Sequence, residues 1–333
     1  MGAAAKSASR VPVHVLTGFL GSGKTTWLNR ALNAPGFNNT AVVVNEFGSI
    51  SIDHLLVEAS TETLIELPGG CVCCAVRGDL ARTLADLMAR RRDGQCSPFE
   101  RVVIETTGLA DPNPIVNLLG TDAMLVEQMV LASVTTVVDA IHGTDTVAQF
   151  PEAVRQVVLA DRIVLSKLDL VSGVETRRLL AQLNPGAPVV PPDETPRFDD
   201  CGEVDSSQEA LGFEASSHGH HHGIESFIVS RDVPFPGAVL PLLVEALAVH
   251  LGSKLLRLKG LADLVETPGR PVLLHGVQHV FSPLEWLDRW PSEPPKTQLV
   301  FIVEGGSCTR EWVEALLDAI IWEVCETAEA RRH

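Results

Sequence analysis

A doubly wound α/β domain carrying a phosphate-binding loop, followed by a small α+β unit, is the architecture this chain predicts. Three observations predict it. Short apolar runs alternate with helical patterns through the first half, as in a mostly parallel sheet covered on both faces. A complete G-x-x-x-x-G-K-[ST] sequence, Gly18 to Thr25, lies between the first apolar run and the first helical pattern. A stretch rich in Pro, Asp, Glu and Ser over 191–217 then breaks the alternation, and the order of elements changes beyond it.

The elements follow in order. Residues 1–10 read as a loose tail; no long apolar run follows them, so they do not form a signal peptide. Val11 to Leu16 reads as a strand, Thr25 to Asn33 as a helix and Ala41 to Val44 as a second strand. Asp79 to Arg91 is an amphipathic helix whose basic end suits a helix C-terminus. Buried-type strands follow at Arg101 to Ile104, Thr135 to Val138 and Arg162 to Leu165, with a last one ending at Val189–Val190. Residues 11–190 are therefore expected to form one nucleotide-binding domain, and 191–223 a linker that ends in the tract His218-Gly219-His220-His221-His222-Gly223. Residues 224–333 read as a unit with an antiparallel sheet. Its strands fall at Ile224 to Arg231, within Pro271 to Phe281 and at Gln298 to Val303; its helices are Gly237 to Leu251 and Arg310 to Trp322.

Composition narrows the function. The 333 residues give a prior of about two domains. A formal charge of −16 argues against a general nucleic-acid binder, which needs a basic face to neutralise phosphates. It leaves room for a nucleotide in a local pocket. No run of ~18 consecutive apolar residues is present, so no membrane span is expected. Seven cysteines, an odd number in a chain too large to need disulfide staples, point to a reducing, cytoplasmic setting and to metal or redox chemistry.

The phosphate loop supplies the first site. Gly18, Gly21 and Gly23 let backbone N–H groups turn inward around a phosphate, with Ser22 between them, and the following helix adds its dipole. Lys24 is expected to reach the β- and γ-phosphates, Thr25 to ligate Mg²⁺ and Thr26 to complete the loop. The base is chosen further on. Ser166-Lys167-Leu168-Asp169 has the form of an N-K-x-D element with Ser for Asn. Asp169 can accept from both N1–H and the exocyclic amine of guanine, a donor pair adenine lacks, while the Lys167 stem lies along the base. Asn184 stands where a second base-contacting loop is expected. Glu105-Thr106-Thr107-Gly108 closes a strand, so Glu105 lies beside Mg²⁺ and the attacking water, and the Gly108 N–H can reach the γ-phosphate. No glutamine is placed to orient water, so intrinsic GTP hydrolysis is expected to be slow and partner-dependent.

Gly69-Gly70-Cys71-Val72-Cys73-Cys74 puts three thiols within four residues, between the phosphate loop and Glu105. Thiolates suit Zn²⁺ or Cu⁺ rather than Mg²⁺. Three local ligands leave a fourth position to water, substrate or a distant side chain such as Glu46 or His54; an open site suits a metal that must leave. Inert buried cysteines and a redox switch are the alternatives. His218, His220, His221 and His222 form a second metal-binding candidate, against the plainer reading of a solvated linker tract.

Together these segments resemble the CobW-like P-loop GTPases, relatives of the urease and hydrogenase maturation GTPases. The carrying residues are T-G-F-L-G-S-G-K-T-T (17–26), N-E-F-G (45–48), G-G-C-V-C-C (69–74), E-T-T-G-L-A-D-P (105–112), S-K-L-D (166–169) and K-L-L-R-L-K-G (254–260). The resemblance implies an N-terminal GTPase domain, a C-terminal CobW-type domain, and GTP hydrolysis coupled to metal insertion or zinc homeostasis. It implies that Cys71, Cys73 and Cys74 bind the metal. Ser49 replaces a glutamate the family often carries, and Val44 stands where some members have another. The expectation is a GTP-switched metallochaperone that uses GTP and Mg²⁺, carries Zn²⁺ to a client metalloprotein, and has a homodimer as a candidate assembly. A zinc-sensing or storage protein with structural nucleotide is the chief alternative, and a P-loop kinase acting on a small molecule is a third.

Overall fold

The computed structural model describes residues 10–34, 37, 39–45, 64–66, 75–193, 223–278, 280–281, 284–291 and 294–330. Seven parallel strands form the first sheet: β1 (Val11–Thr17), β2 (Thr40–Asn45), β3 (Leu64–Glu66), β4 (Arg101–Thr106), β5 (Met129–Asp139), β6 (Arg162–Ser166) and β7 (Val189–Val190). Their order is β3-β2-β4-β1-β5-β6-β7. The chain starts in the middle of the sheet and winds outward both ways, so the C-terminal ends of β1 and its neighbours share one edge, where ligands bind in such sheets.

Helices α1 (Lys24–Leu32), α2 (Ala75–Arg92), α3 (Asn113–Thr121), α4 (Ala123–Gln128), α5 (Gly143–Gln149), α6 (Pro151–Leu159) and α7 (Val174–Leu183) connect the strands. Alternate residues of each strand serve opposite faces. Val13, Val15, Val43 and Ile104 bury against Leu80 and Leu84 of α2 and Ile115 of α3. Leu16, Val42, Val103 and Val137 bury against Trp27, Leu28 and Ala31 of α1. The doubly wound α/β expectation therefore holds. Strand β3 and the first six residues of β5 were not anticipated: β3 is only three residues long, and Ala132 and Ser133 dilute the apolar run that opens β5.

The second sheet is antiparallel. It comprises β8 (Ile224–Arg231), β9 (Leu255–Ala262), β10 (Val272–Val277), β11 (Val280–Phe281), β12 (Glu285–Trp286) and β13 (Thr297–Glu304), ordered β11-β10-β9-β13-β8 with β12 on β10. Helices α8 (Val239–Leu251) and α9 (Arg310–Ala330) cover one face through Leu243, Leu247, Val313 and Leu317. The other face turns to the first unit: Ile224, Leu256 and Ile302 join the core that also holds Val154, Val158 and Leu180 of α6 and α7. Among the described residues, no helix is long and apolar enough to cross a membrane.

Strand β9 was also not anticipated, because Arg257 and Lys259 interrupt its apolar run, yet every one of its residues is buried. Both charges find Asp161, which lies between α6 and β6. Arg257 pairs with the carboxylate, Lys259 Nζ lies 3.8 Å away, and His275 of β10 lies 3.6 Å away. The Val134 N–H donates to the same carboxylate at 2.8 Å. Burial opposes ionisation of Asp161, but the Arg257 guanidinium, Lys259 and the Val134 N–H outweigh it and hold the group well below the usual carboxylate range. Burial lowers His275 to about 4; Asp161 resists that shift, while Arg257 and Lys259 add to it. Burial and Arg101 likewise lower His14 to about 3; its Nδ1 lies 2.8 Å from Ser133 Oγ.

These histidines give stability a definite pH dependence. Both are neutral in the fold but protonate near 6.5 when unfolded, so the unfolded chain binds more protons below that pH. Stability is full above pH 6.5 and falls as the pH drops towards 4. The contribution of His275 alone is on the order of 3 kcal/mol, since a tenfold change in proton affinity corresponds to about 1.4 kcal/mol. Urea denaturation at pH 7.5, 6 and 5 is expected to show a falling midpoint, with a shallower fall for His275→Gln.

Candidate nucleotide site

The site is assembled at the C-terminal edge of the first sheet. β1 ends at Thr17, the loop turns, and α1 begins at Lys24, the arrangement the motif requires. Gly18 sits at φ 144°, and a Cβ there would meet the Val137 carbonyl oxygen at 2.2 Å, so only glycine fits the first turn. The Lys24 Nζ donates to the Gly18 and Phe19 carbonyls at 2.9 and 3.2 Å, which folds the ammonium over the loop. The Thr25 Oγ1 donates to Glu105 Oε1 at 2.8 Å, and that carboxylate is buried.

The same pair fits a magnesium ion. Adjacent ligands in an octahedron of ~2.1 Å bonds stand ~3.0 Å apart, and both atoms are hard oxygens. Parallel pairing sets Glu105 opposite Leu16 of β1 and Val44 of β2, so strand register, not a flexible loop, aims it at Thr25. Gly108 follows in the turn beyond β4. It packs so closely on the phosphate loop that a Cβ there would lie 2.6 Å from the Leu20 backbone nitrogen. Thr106 Oγ1 donates to Thr17 Oγ1 at 2.8 Å and ties the two strand ends together.

The base-recognition turn is fastened to the phosphate loop. Ser166 Oγ donates to the Ser22 carbonyl at 2.6 Å and to the Val138 carbonyl at 3.2 Å. Serine in the asparagine position thus keeps a bond between the two loops. Lys167 adopts φ 59° and pairs with Asp139 at the end of β5. Burial raises the Asp139 pKa, but the bond and charge of Lys167, with the Ile141 and His142 N–H groups, bring it below the ordinary value. Asp169 is exposed, one residue past Leu168. Thr26, Gly21 and Gly23 stand in the loop and the first turn of α1 as expected.

Asn184 is the correction. It is fully buried, and its Nδ2 donates to the carbonyls of Val157, Val158 and Ala160 at 2.8, 3.1 and 2.9 Å. It caps the end of α6 from within the protein and does not face the base turn. Sequence reasoning missed Asp139 and Gln156. The Gln156 Nε2 donates to the Gly108 and Ala110 carbonyls at 3.2 and 2.9 Å. Asp139 closes an apolar strand, the kind of signal that marks Glu105, whereas a lone glutamine in a helix carries none. Cys71, Cys73, Cys74, His218, His220, His221, His222, Glu46 and His54 lie outside the described residues.

A phosphate loop, a buried carboxylate at the neighbouring strand end and a K-x-D turn, set on a seven-stranded parallel sheet, define a P-loop nucleotide-binding protein. Comparison with known proteins narrows the class. Residues 12–191 match the family described as CobW/HypB/UreG, nucleotide-binding domain, and residues 224–321 match the cobalamin synthesis protein cobW C-terminal domain. The chain belongs to this CobW/HypB/UreG family.

The chain is 35% identical over 303 residues to the protein named zinc chaperone YjiA of Escherichia coli, covering 88% of this chain and 93% of that one. It is 29% identical to the zinc-regulated GTPase metalloprotein activator 1 of Dictyostelium discoideum, covering 78% of this chain and 64% of that protein. The Zn(II)-bound YjiA GTPase crystal structure from E. coli superposes with a TM-score of 0.65 at 27% identity, covering 94% of this chain and 99% of that one.

The three bonds of Asn184 yield a prediction. Asn184→Ala would leave buried carbonyls without donors and is expected to destabilise the chain by roughly 2–4 kcal/mol in chemical denaturation. Nucleotide affinity of the folded protein should stay unchanged; a selective loss of guanine-nucleotide affinity would restore Asn184 to the base site.

Proposed function

We propose that the chain is a GTP-hydrolysing metallochaperone that takes zinc as cargo at Cys71, Cys73 and Cys74 and passes it to a client metalloprotein. The observation that carries this is the sharing of one sheet edge. β3 pairs in parallel with β2, Val44 opposite Glu66, so it ends at the edge that holds Glu105 and the phosphate loop. The thiol segment begins there: Cys71 follows Glu66 by five residues, a reach of at most ~18 Å. The residues that precede it, 46–63, leave from the end of β2, opposite Thr106. A change at the γ-phosphate therefore acts on the chain to either side of the thiols. The zinc named in the relatives supports the choice of cargo.

Each residue has a chemical role in this reading. The phosphate-loop amides and Lys24 hold the phosphates. Thr25 and Glu105 would hold Mg²⁺, which when bound would supply positive charge beside the phosphates. The Gly108 N–H reports whether the γ-phosphate is present. Asp169 reads guanine through its paired donors. Three thiolates hold zinc with one position open, from which a client can take it. His218, His220, His221 and His222 then act as a transient metal collector on the linker.

The test is zinc competition against a chromophoric chelator with GTPγS, GDP or no nucleotide, on the wild type and on a Cys71/Cys73/Cys74→Ala variant. The expected result is tight, thiol-dependent binding whose affinity changes with nucleotide. Identical affinity in all three states would indicate a zinc sensor or store instead, and thiol-independent binding would remove the metal site. Base choice is checked separately. Asp169→Asn should lose at least ~100-fold in GTP affinity, because a charge-assisted double acceptor is replaced by a group that both donates and accepts. The same variant should gain affinity for xanthosine triphosphate, whose 2-carbonyl accepts from the new amide; fluorescence titration with both nucleotides checks this.

A further inference from the structure

Gln156 lies on α6, fully buried, and spends its side-chain amide on the turn beyond β4. Its two donors reach the Gly108 carbonyl at 3.2 Å and the Ala110 carbonyl at 2.9 Å. These two carbonyls flank Leu109, so the bond pair fixes the direction in which the turn leaves Gly108. The glutamine cannot slide. Its backbone carbonyl accepts from Thr136 Oγ1 of β5 at 2.6 Å, and its neighbour Arg155 pairs with Asp111 at 3.2 Å on the outside of the same turn. Gln156 also lines a cavity of about 140 Å³ together with Phe19, Leu20, Asp139 and Lys167.

A buried glutamine is costly unless its hydrogen bonds are made, and two apolar neighbours would fill the same space without that cost. What the amide adds is direction. The N–H of Gly108 and the carbonyl of Gly108 belong to adjacent peptide planes, so holding the carbonyl limits rotation of the glycine that presents the N–H to the γ-phosphate. We propose that Gln156 is a positioning residue for GTP hydrolysis, which sets the Gly108 turn in the orientation that stabilises charge on the transferring phosphoryl group. The proposal rests on the reading of the site as a GTPase. It deepens that reading, because it assigns a rate-setting role to a residue of α6 that acts through the turn carrying Gly108.

The consequence is separable from binding. Ground-state affinity comes mainly from the phosphate loop, Lys24 and the base turn, whereas the Gln156 amide bonds to the Gly108 and Ala110 carbonyls. A displaced Gly108 amide should therefore lower kcat and leave KM little changed, the pattern of an interaction made in the transition state. A misplacement on the scale of 1 Å can cost as much as ~100-fold in rate.

The experiment is steady-state GTP hydrolysis by the full chain with Mg²⁺, alongside GDP and GTPγS titrations and thermal unfolding, for the wild type, Gln156→Met and Gln156→Glu. Gln156→Met keeps the volume and removes both donors. It is expected to lower kcat by roughly 10- to 100-fold with KM and GDP affinity within about threefold of wild type. Gln156→Glu places a carboxylate against two carbonyls, and burial raises its pKa. Its protonated form can donate one O–H, so its kcat relative to wild type is expected to rise as the pH falls from 8 to 6. Asp139, His142 and Lys167 face the same cavity and Arg155 and Asp111 the same turn; all are common to the wild type, which corrects for their titration. A structural role alone would move the unfolding temperature without this pH-dependent recovery.

Wild-type kcat in the Met variant, or a rise in KM with kcat intact, overturns the proposal. Should the Met variant fail to fold, the Glu variant decides: a flat ratio to wild type across the pH range overturns it as well. Failure of the wild type itself to hydrolyse GTP, with or without zinc, would instead defeat the GTPase reading, and this inference with it.

Discussion

The carboxylate of Asp161 is the constraint on which the relation between the two units depends. It sits just past α6, and the Val134 backbone exchanges two hydrogen bonds with it, one to its side chain and one from its amide. The same carboxylate receives Arg257, with Lys259 and His275 beside it, from two strands of the second sheet. Removing one partner of a buried pair leaves an unpaired charge, a loss of about 3–5 kcal/mol. An apolar contact of equal area would let the sheet slide over α6; the ion cluster fixes its register.

That cluster also solves a problem created by burying a helix end. The last carbonyls of any helix lack intrahelical partners. In α6 each carbonyl from Gln156 to Ala160 has a side-chain donor. Thr136 takes Gln156, Asn184 takes Val157, Val158 and Ala160, and Arg257 takes Leu159. Three separate elements therefore define one short helix. The same helix carries Arg155 and Gln156 against the turn beyond β4. Because α6 touches both the Gly108 turn and the second sheet, a shift at either contact meets little slack in between.

What the sequence disclosed follows from how local the interactions are. The phosphate loop was legible because its glycines, lysine and threonine act within eight consecutive residues and leave a fixed spacing. Glu105 was legible because a carboxylate at the end of an apolar strand has few structural uses. The place of Lys167 and Asp169 in the turn after β6 followed from their order behind the loop. The roles of Arg257, Asn184 and Gln156 were not legible, since their partners lie 98, 27 and 48 residues away and no periodicity links them. Asn184 shows the hazard most clearly. Its place at a strand entry suggested a base contact, but the need to cap a buried helix had a prior claim on its amide. Arg257 and Lys259 similarly concealed a buried strand as a charged one.

The Thr25–Glu105 pair also shows which kind of metal the rigid framework suits. Thr25 and Glu105 offer oxygen, 2.8 Å apart, on rigid strand and helix ends; a fixed octahedral edge suits Mg²⁺ and poorly matches tetrahedral zinc with its preference for sulfur. Cys71, Cys73 and Cys74 fall between β3 and α2 in the sequence, outside the described residues. Ligands aimed by strand register, as Glu105 is by β1 and β2, hold one geometry, which is what a hard octahedral metal needs.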